Sequence, residues 1–133
     1  MPTSPLPEEL RRFLAEPNPA VMATLRKDGQ PVTVATWYLF DGGRILVNLQ
    51  EDRTRVQHLR NDPRVSLTVL AAASWYTHVS VQGRVAELVD DVDLADIDRI
   101  ARHYTGDAYP VRDRKRVSAW VEIDSYHAWN TAR

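Results

Sequence analysis

The spacing of apolar and polar positions divides the chain into short segments with two different periods. Leu10, Phe13 and Leu14 share one face of a helix through Glu8–Ala15, with Ser4-Pro5 as its cap and first residue and Pro17-Asn18-Pro19 as its end. From Ala20 the period switches to two: Val21, Ala23 and Leu25 alternate with Met22, Thr24 and Arg26. Lys27-Asp28-Gly29-Gln30 then reads as a hairpin turn, with Gly29 free to take positive φ. A second strand over 31–40 closes at Asp41-Gly42-Gly43. The third, RILVNLQ (44–50), alternates Ile45, Val47 and Leu49 against Leu46, Asn48 and Gln50. Val56 and Leu59 fall at helical spacing before the stop at Asn61-Asp62-Pro63, where the residue preceding proline is biased out of helix. A fourth strand covers 65–72. A fifth runs from Trp75 to Leu88, with a bulge at Gly83. A helix over 92–104 carries Leu94, Ile97, Ala101 and Tyr104 on one stripe and stops at Gly106. The sixth strand, RVSAWVEID (116–124), points Val117, Ala119, Val121 and Ile123 inward.

Six strands on short turns, with few helices, predict a mainly β fold: a small six-stranded antiparallel barrel. Its 133 residues form one domain, 1–133, long enough to bury a core without staples. Strand 31–40 has no charge on either face: Val32, Val34, Thr36, Tyr38 and Phe40 on one side, Thr33, Ala35, Trp37 and Leu39 on the other. Only one face can fill the barrel. A second copy of the chain is the usual cover for the other, so a homodimer is expected.

Composition then narrows the chemistry. Cysteine is absent, which rules out disulfides and thiolate metal sites. The apolar run around Leu67–Ala73 is too short to span a bilayer. The N-terminal MPTSPLPEELRRF lacks the apolar core of a signal peptide, so the expected location is cytoplasmic. A net charge of −1 argues against a nucleic-acid partner. His58, His78, His103 and His127 lack ligand spacing, and no metal site is expected. Asp90, Asp91, Asp93, Asp96 and Asp98 suit a helix N-terminus better than an acid–base pair. No nucleophile elbow, P-loop or dinucleotide fingerprint is present, and no catalytic side chain is identified.

Against that neutral background LQEDRTRVQHLRNDPR (49–64) carries four arginines. Arg53 and Arg55 sit where a strand gives way to a helix, and the free N–H groups there already favour an anion. Two guanidinium groups add bidentate donors for phosphate or carboxylate oxygens. Thr54 suits a cap or a hydroxyl donor, while Arg60 and Arg64 pair with Glu51, Asp52 or Asp62 or stay solvated. Taken alone, a charged surface turn is the commoner outcome for such a segment. Of the four tryptophans, Trp37 and Trp75 are placed at strand ends beside Thr36, Asn48 and His78, where a flat ligand would find a wall, although a tryptophan is more often core.

The order of these features resembles a known family. Residues 21–69 are similar to the split-barrel, flavin-binding proteins related to pyridoxamine 5′-phosphate oxidase, and within them to the branch using the deazaflavin coenzyme F420. The matching residues are Ala23-Thr24-Leu25, Asp28-Gly29 and Pro31 in the first hairpin, Trp37-Tyr38, Arg53 and Arg55, Leu59–Ser66, and Val79–Leu88. Arg55 stands where lysine is common, and His58 where asparagine is common. The longer C-terminal strand and signature of true pyridoxamine phosphate oxidases have no counterpart, which argues against that reaction. The resemblance implies a homodimer with a cofactor in each inter-subunit groove. Its phosphate would lie on Arg53 and Arg55 and its ring along Thr36, Trp37, Asn48 and Leu49, with Trp75 as a wall. It implies hydride transfer from reduced F420 to a small unsaturated or conjugated substrate, with a proton from solvent, Tyr38 or His78. FMN in an oxidase or flavin reductase, and a non-enzymatic cofactor-binding module, are the alternatives.

Overall fold

The computed structural model describes residues 2–131, and within them the chain is mainly β. In chain order the elements are α1 (Glu8–Leu14), β1 (Ala20–Leu25), β2 (Pro31–Thr36), β3 (Leu39–Asp41), β4 (Arg44–Gln50), α2 (Thr54–Asn61), β5 (Arg64–Leu70), β6 (His78–Asp90), α3 (Ala95–Thr105) and β7 (Arg116–Trp129). All pairings are antiparallel, in one sheet of order β2-β1-β5-β6-β7-β4-β3. No described helix is long and apolar enough to cross a membrane.

Seven strands are present where the apolar pattern predicts six. The run 31–40 breaks at Trp37-Tyr38, and its two halves pair with different neighbours: β2 with β1, β3 with β4. Those halves are the opposite edges of the sheet. Laid flat, seven strands would hold the edges about 29 Å apart at roughly 4.8 Å per step. The three Cα steps from Thr36 to Leu39 reach only ~11 Å. The sheet therefore has to curl until its edges meet, which produces a split barrel.

Inside it, Ile45, Val47 and Leu49 of β4 meet Val65, Leu67 and Val69 of β5, Val79 and Val81 of β6, and Ala119 and Val121 of β7. Helix α1 adds Leu10 and Leu14, and α2 adds Val56 and Leu59. The first helix starts at Glu8 with Pro7 before it, so Ser4-Pro5 is not its cap. The last strand runs five residues beyond the predicted end, pairing Ser125–Trp129 with the first part of β6. Gly83 lies at one of two register shifts between these strands. A Cβ there would sit 1.9 Å from the Glu122 carbonyl oxygen, so only glycine fits.

Tyr38 fastens the seam. Its side chain is 1% exposed, and its hydroxyl donates to the carbonyls of Leu14 (2.8 Å) and Glu16 (3.2 Å) at the end of α1. Replacing Tyr38 with Phe takes the hydroxyl donor from the buried Leu14 carbonyl, while the Glu16 carbonyl keeps the Asn18 N–H at 2.8 Å. The expected loss is about 1–2 kcal/mol, read as a lower urea midpoint with an unchanged slope.

Candidate functional site

The break at residues 37–38 sends consecutive side chains to opposite sides of the barrel wall. Tyr38 goes into the core, and Trp37, 37% exposed, faces out onto a groove of about 570 Å³. Thr36, Trp37, Asn48 and Arg55 line it together with Tyr104, Tyr109 and Arg116. The aromatic side is ordered: Trp37 stacks on Tyr104 with centroids 5.2 Å apart and planes 9° apart, and meets Tyr109 edge-on at 6.4 Å. Pro17, Pro19, Ile97 and Ile100 make the groove's remaining surface largely apolar.

The groove is also cationic, through Arg55 and Arg116. Arg53 precedes α2 in extended conformation, with no side-chain capping bond and no acidic residue in the first turn. Thr54 is the first helical residue and does not cap the helix. Nη1 of Arg55 is buried and finds no hydrogen-bond partner among the described residues. Burial first, then the charges of Arg53 and Arg116, hold the Arg55 guanidinium below its ordinary range. None of the three has a carboxylate within ion-pair distance among the described residues, although Arg116 also borders a hollow holding Glu51, Asp90, Asp91 and Asp113; the unpaired buried donor of Arg55 favours an incoming anion. A second hollow of about 700 Å³ shares Arg55 and adds Arg26, Val32, Val34, Arg53 and His58. There His58 is buried, its Nδ1 2.9 Å from the Thr24 hydroxyl.

Two of the expected lining residues are not on this groove. Leu49 is 1% exposed and belongs to the barrel core, because its strand alternates and its neighbour Asn48 takes the groove side. Trp75 lies in the β5–β6 connection, 66% exposed and stacked on Tyr76 at 4.4 Å. Arg53 lines the adjoining hollow rather than the groove itself. Arg64 is paired with Asp62 at 2.8 Å, one of the alternatives the sequence allowed.

Neither suggested proton donor opens onto the groove. Burial, and then Tyr104, push the Tyr38 phenol far above its ordinary value, and its proton is committed to backbone carbonyls. The His78 ring lies 3.2 Å from the Trp75 carbonyl, away from the groove. The Thr36 hydroxyl donates to the Trp37 carbonyl, and the Tyr104 hydroxyl to the Asn18 carbonyl at 2.6 Å. Sequence reasoning missed Tyr104 as a wall, and missed Tyr109 and Arg116 altogether. Tyr104 was visible only as one apolar position of a helical stripe. Arg116 needs the β4–β7 register, which sets it opposite Gln50 and beside Asn48.

The sequence matches the pyridoxamine 5′-phosphate oxidase family over residues 6–130. Among solved structures it is similar to an F420 reductase, at 24% identity and TM-score 0.84 over 92% of this chain and 98% of that one. A conserved hypothetical protein of Mycobacterium tuberculosis aligns at 25% identity and TM-score 0.77, over 98% of this chain and 88% of its own. General stress protein 26 of Bacillus anthracis aligns at 12% identity and TM-score 0.72, over 93% of each chain.

Burial raises the Tyr104 phenol from 10.0 to about 12. A folded value above the unfolded one stabilises fully below pH 10, and that contribution disappears as pH rises from 10 towards 12. Stability measured by urea titration across that window should fall. In Tyr104→Phe, which loses the Asn18 bond at every pH, the fall should be shallower; a slope as steep as the parent's would contradict this.

Proposed function

The chain belongs to the pyridoxamine 5′-phosphate oxidase family, and from that premise we propose that it is an oxidoreductase dependent on the deazaflavin coenzyme F420. The observation that carries this reading is the unpaired, buried Nη1 of Arg55, with two further arginines nearby, in a groove walled by stacked aromatics. A planar ring system bearing a phosphate-containing side chain matches both features of such a groove. The F420 reductase among the similar structures supports the choice of coenzyme.

In this reading Arg53 and Arg55 hold the phosphate, with the uncapped start of α2 behind them. Trp37, backed by Tyr104, carries the face of the ring, and Thr36 and Asn48 border it. When bound, reduced F420 supplies the hydride for a small unsaturated or conjugated substrate. The protein's work is orientation and the exclusion of water by Pro17, Pro19, Ile97 and Ile100. The hydroxyls of Thr36 and Tyr104 are already donated to backbone carbonyls, so the proton is assigned to solvent.

A second subunit completes the proposal. Thr33, Ala35 and Trp37 leave β2 with an exposed, uncharged outer face at the edge of the sheet, and a second copy covers it. Thr33→Glu should convert a dimer to a monomer in sedimentation; a parent already monomeric at working concentration would remove this part.

Titration with F420 and with FMN, followed by tryptophan quenching, tests the cofactor. F420 should bind, and Arg53→Ala/Arg55→Ala should weaken it by about a hundredfold, two charge-assisted contacts of roughly 1.5 kcal/mol each. Preference for FMN makes the protein a flavin enzyme of the same fold. Tight binding without turnover over a broad panel of electrophilic acceptors makes it a binding module. Affinity unchanged in the double variant overturns the phosphate seat.

A further inference from the structure

Arg116 opens β7 opposite Gln50, and unlike Arg84, Arg99 and Arg112 it has no carboxylate within ion-pair distance among the described residues. What holds it is neutral. Its Nε donates to Asn48 Oδ1 at 2.6 Å and its Nη2 to the Asn48 carbonyl at 3.4 Å, and its guanidinium lies 4.8 Å over the Tyr109 ring. An amide and an aromatic face orient a guanidinium without neutralising it, so its charge remains available to the groove it shares with Arg55.

The amide is itself fixed. Asn48 Nδ2 donates to Asp91 Oδ2 at 3.0 Å and to Ser118 Oγ at 3.1 Å. Turning the amide over would set its NH₂ against the Arg116 N–H and its oxygen against the Asp91 carboxylate, two repulsive contacts in a buried place. Asp91 is anchored in turn by the backbone N–H groups of Asp96 (3.1 Å) and Ile97 (2.9 Å) at the start of α3, and Ser118 donates to Asp96 at 2.7 Å. Orientation therefore passes from the start of α3 through Asp91 and Asn48 to Arg116.

We infer that Arg116 is the third arm of the anion seat, and that Asn48 and Asp91 are positioning residues that aim it. The inference rests on the reading of Arg53 and Arg55 as phosphate-binding, and it deepens that reading. Each non-bridging oxygen of a phosphoryl group has lone pairs for more than one donor, which suits three guanidiniums contributed by the start of α2 and by β7.

Inorganic phosphate, titrated into the intact chain by calorimetry, is the probe. Arg116→Gln and Asn48→Ala should each bind it about tenfold more weakly, the loss of one charge-assisted contact. The Arg116→Gln/Asn48→Ala double variant should be no weaker than the weaker single, since the two residues act as one unit. Additive losses would overturn the positioning role of Asn48. Arg116→Lys guards against a misfolded Asn48 variant: it keeps the charge, lacks the Nε donor, and should lose most of the effect. Parental affinity in Arg116→Gln or Arg116→Lys overturns the inference. If Arg53→Ala/Arg55→Ala weakens phosphate binding while the Arg116 variants do not, only the third arm fails. If no variant matters, or the parent ignores millimolar phosphate, the seat itself fails with it.

Discussion

Two residues join the opposite edges of a seven-stranded sheet, and most of the architecture is a consequence of that short tether. Trp37 and Tyr38 leave no slack for an open sheet, so the edges meet and the inward faces of β1, β4, β5, β6 and β7 converge on one core. The same tether decides what lies on either side of the wall. Tyr38 turns inward and takes the carbonyls at the end of α1, while Trp37 turns outward onto Tyr104 of α3. Tyr104 closes the arrangement: its oxygen accepts the Tyr38 backbone N–H at 3.3 Å and donates to Asn18, whose own amide donates to Phe13. A folding constraint and the wall of a groove are thus built from one dipeptide and its neighbours.

The electrostatics follow from where the carboxylates are spent. Asp98 takes Arg112 and the Tyr109 N–H, and so pins the loop after α3. Asp41 and Asp96 share Arg99, Glu122 and Asp124 share Arg84, and Asp62 holds Arg64. None of these ion pairs involves Arg53, Arg55 or Arg116. A chain near neutrality overall therefore leaves Arg53, Arg55 and Arg116 outside its described ion pairs, and net charge is a poor guide to that. Exposed pairs of this kind contribute little to stability individually. Their consequence here is what they withhold from the groove.

Local rules read well wherever one segment decides its own fate. The 26–31 hairpin, strand 44–50, the helix carrying Val56 and Leu59, the Gly83 bulge and the Gly106 stop all follow from period and turn chemistry, and all are present. The seam was illegible for a physical reason: 31–40 contains no glycine, internal proline or charge, and only the two different pairing partners break it. Residues 125–129 extend β7 because β6 offers a partner, though their own pattern is weak. Of the predicted lining, Thr36, Trp37, Asn48 and Arg55 come together on one groove. Leu49 followed its strand's alternation into the core, and Trp75 lies on a separate connection. Arg116 was out of reach because its meaning comes from register, not from sequence neighbours.

Rigidity and charge at this groove are two sides of one design. The Thr36 and Tyr104 hydroxyls and the Asn48 amide are engaged within the protein, so the walls need little ordering when something binds. The arginines are the opposite case. Arg55 is partly desolvated, lacks a partner for one nitrogen and sits near two like charges, an arrangement that costs stability in the unliganded chain. Natural sequences keep such a local conflict where function requires it, and satisfied neighbours hold it in place. An anion that relieves the conflict gains both its own contacts and the repulsion it removes. On the proposed reading binding and folding stability are linked at this site: an anion filling the seat would stabilise the fold by mass action, roughly as the logarithm of its concentration over its dissociation constant.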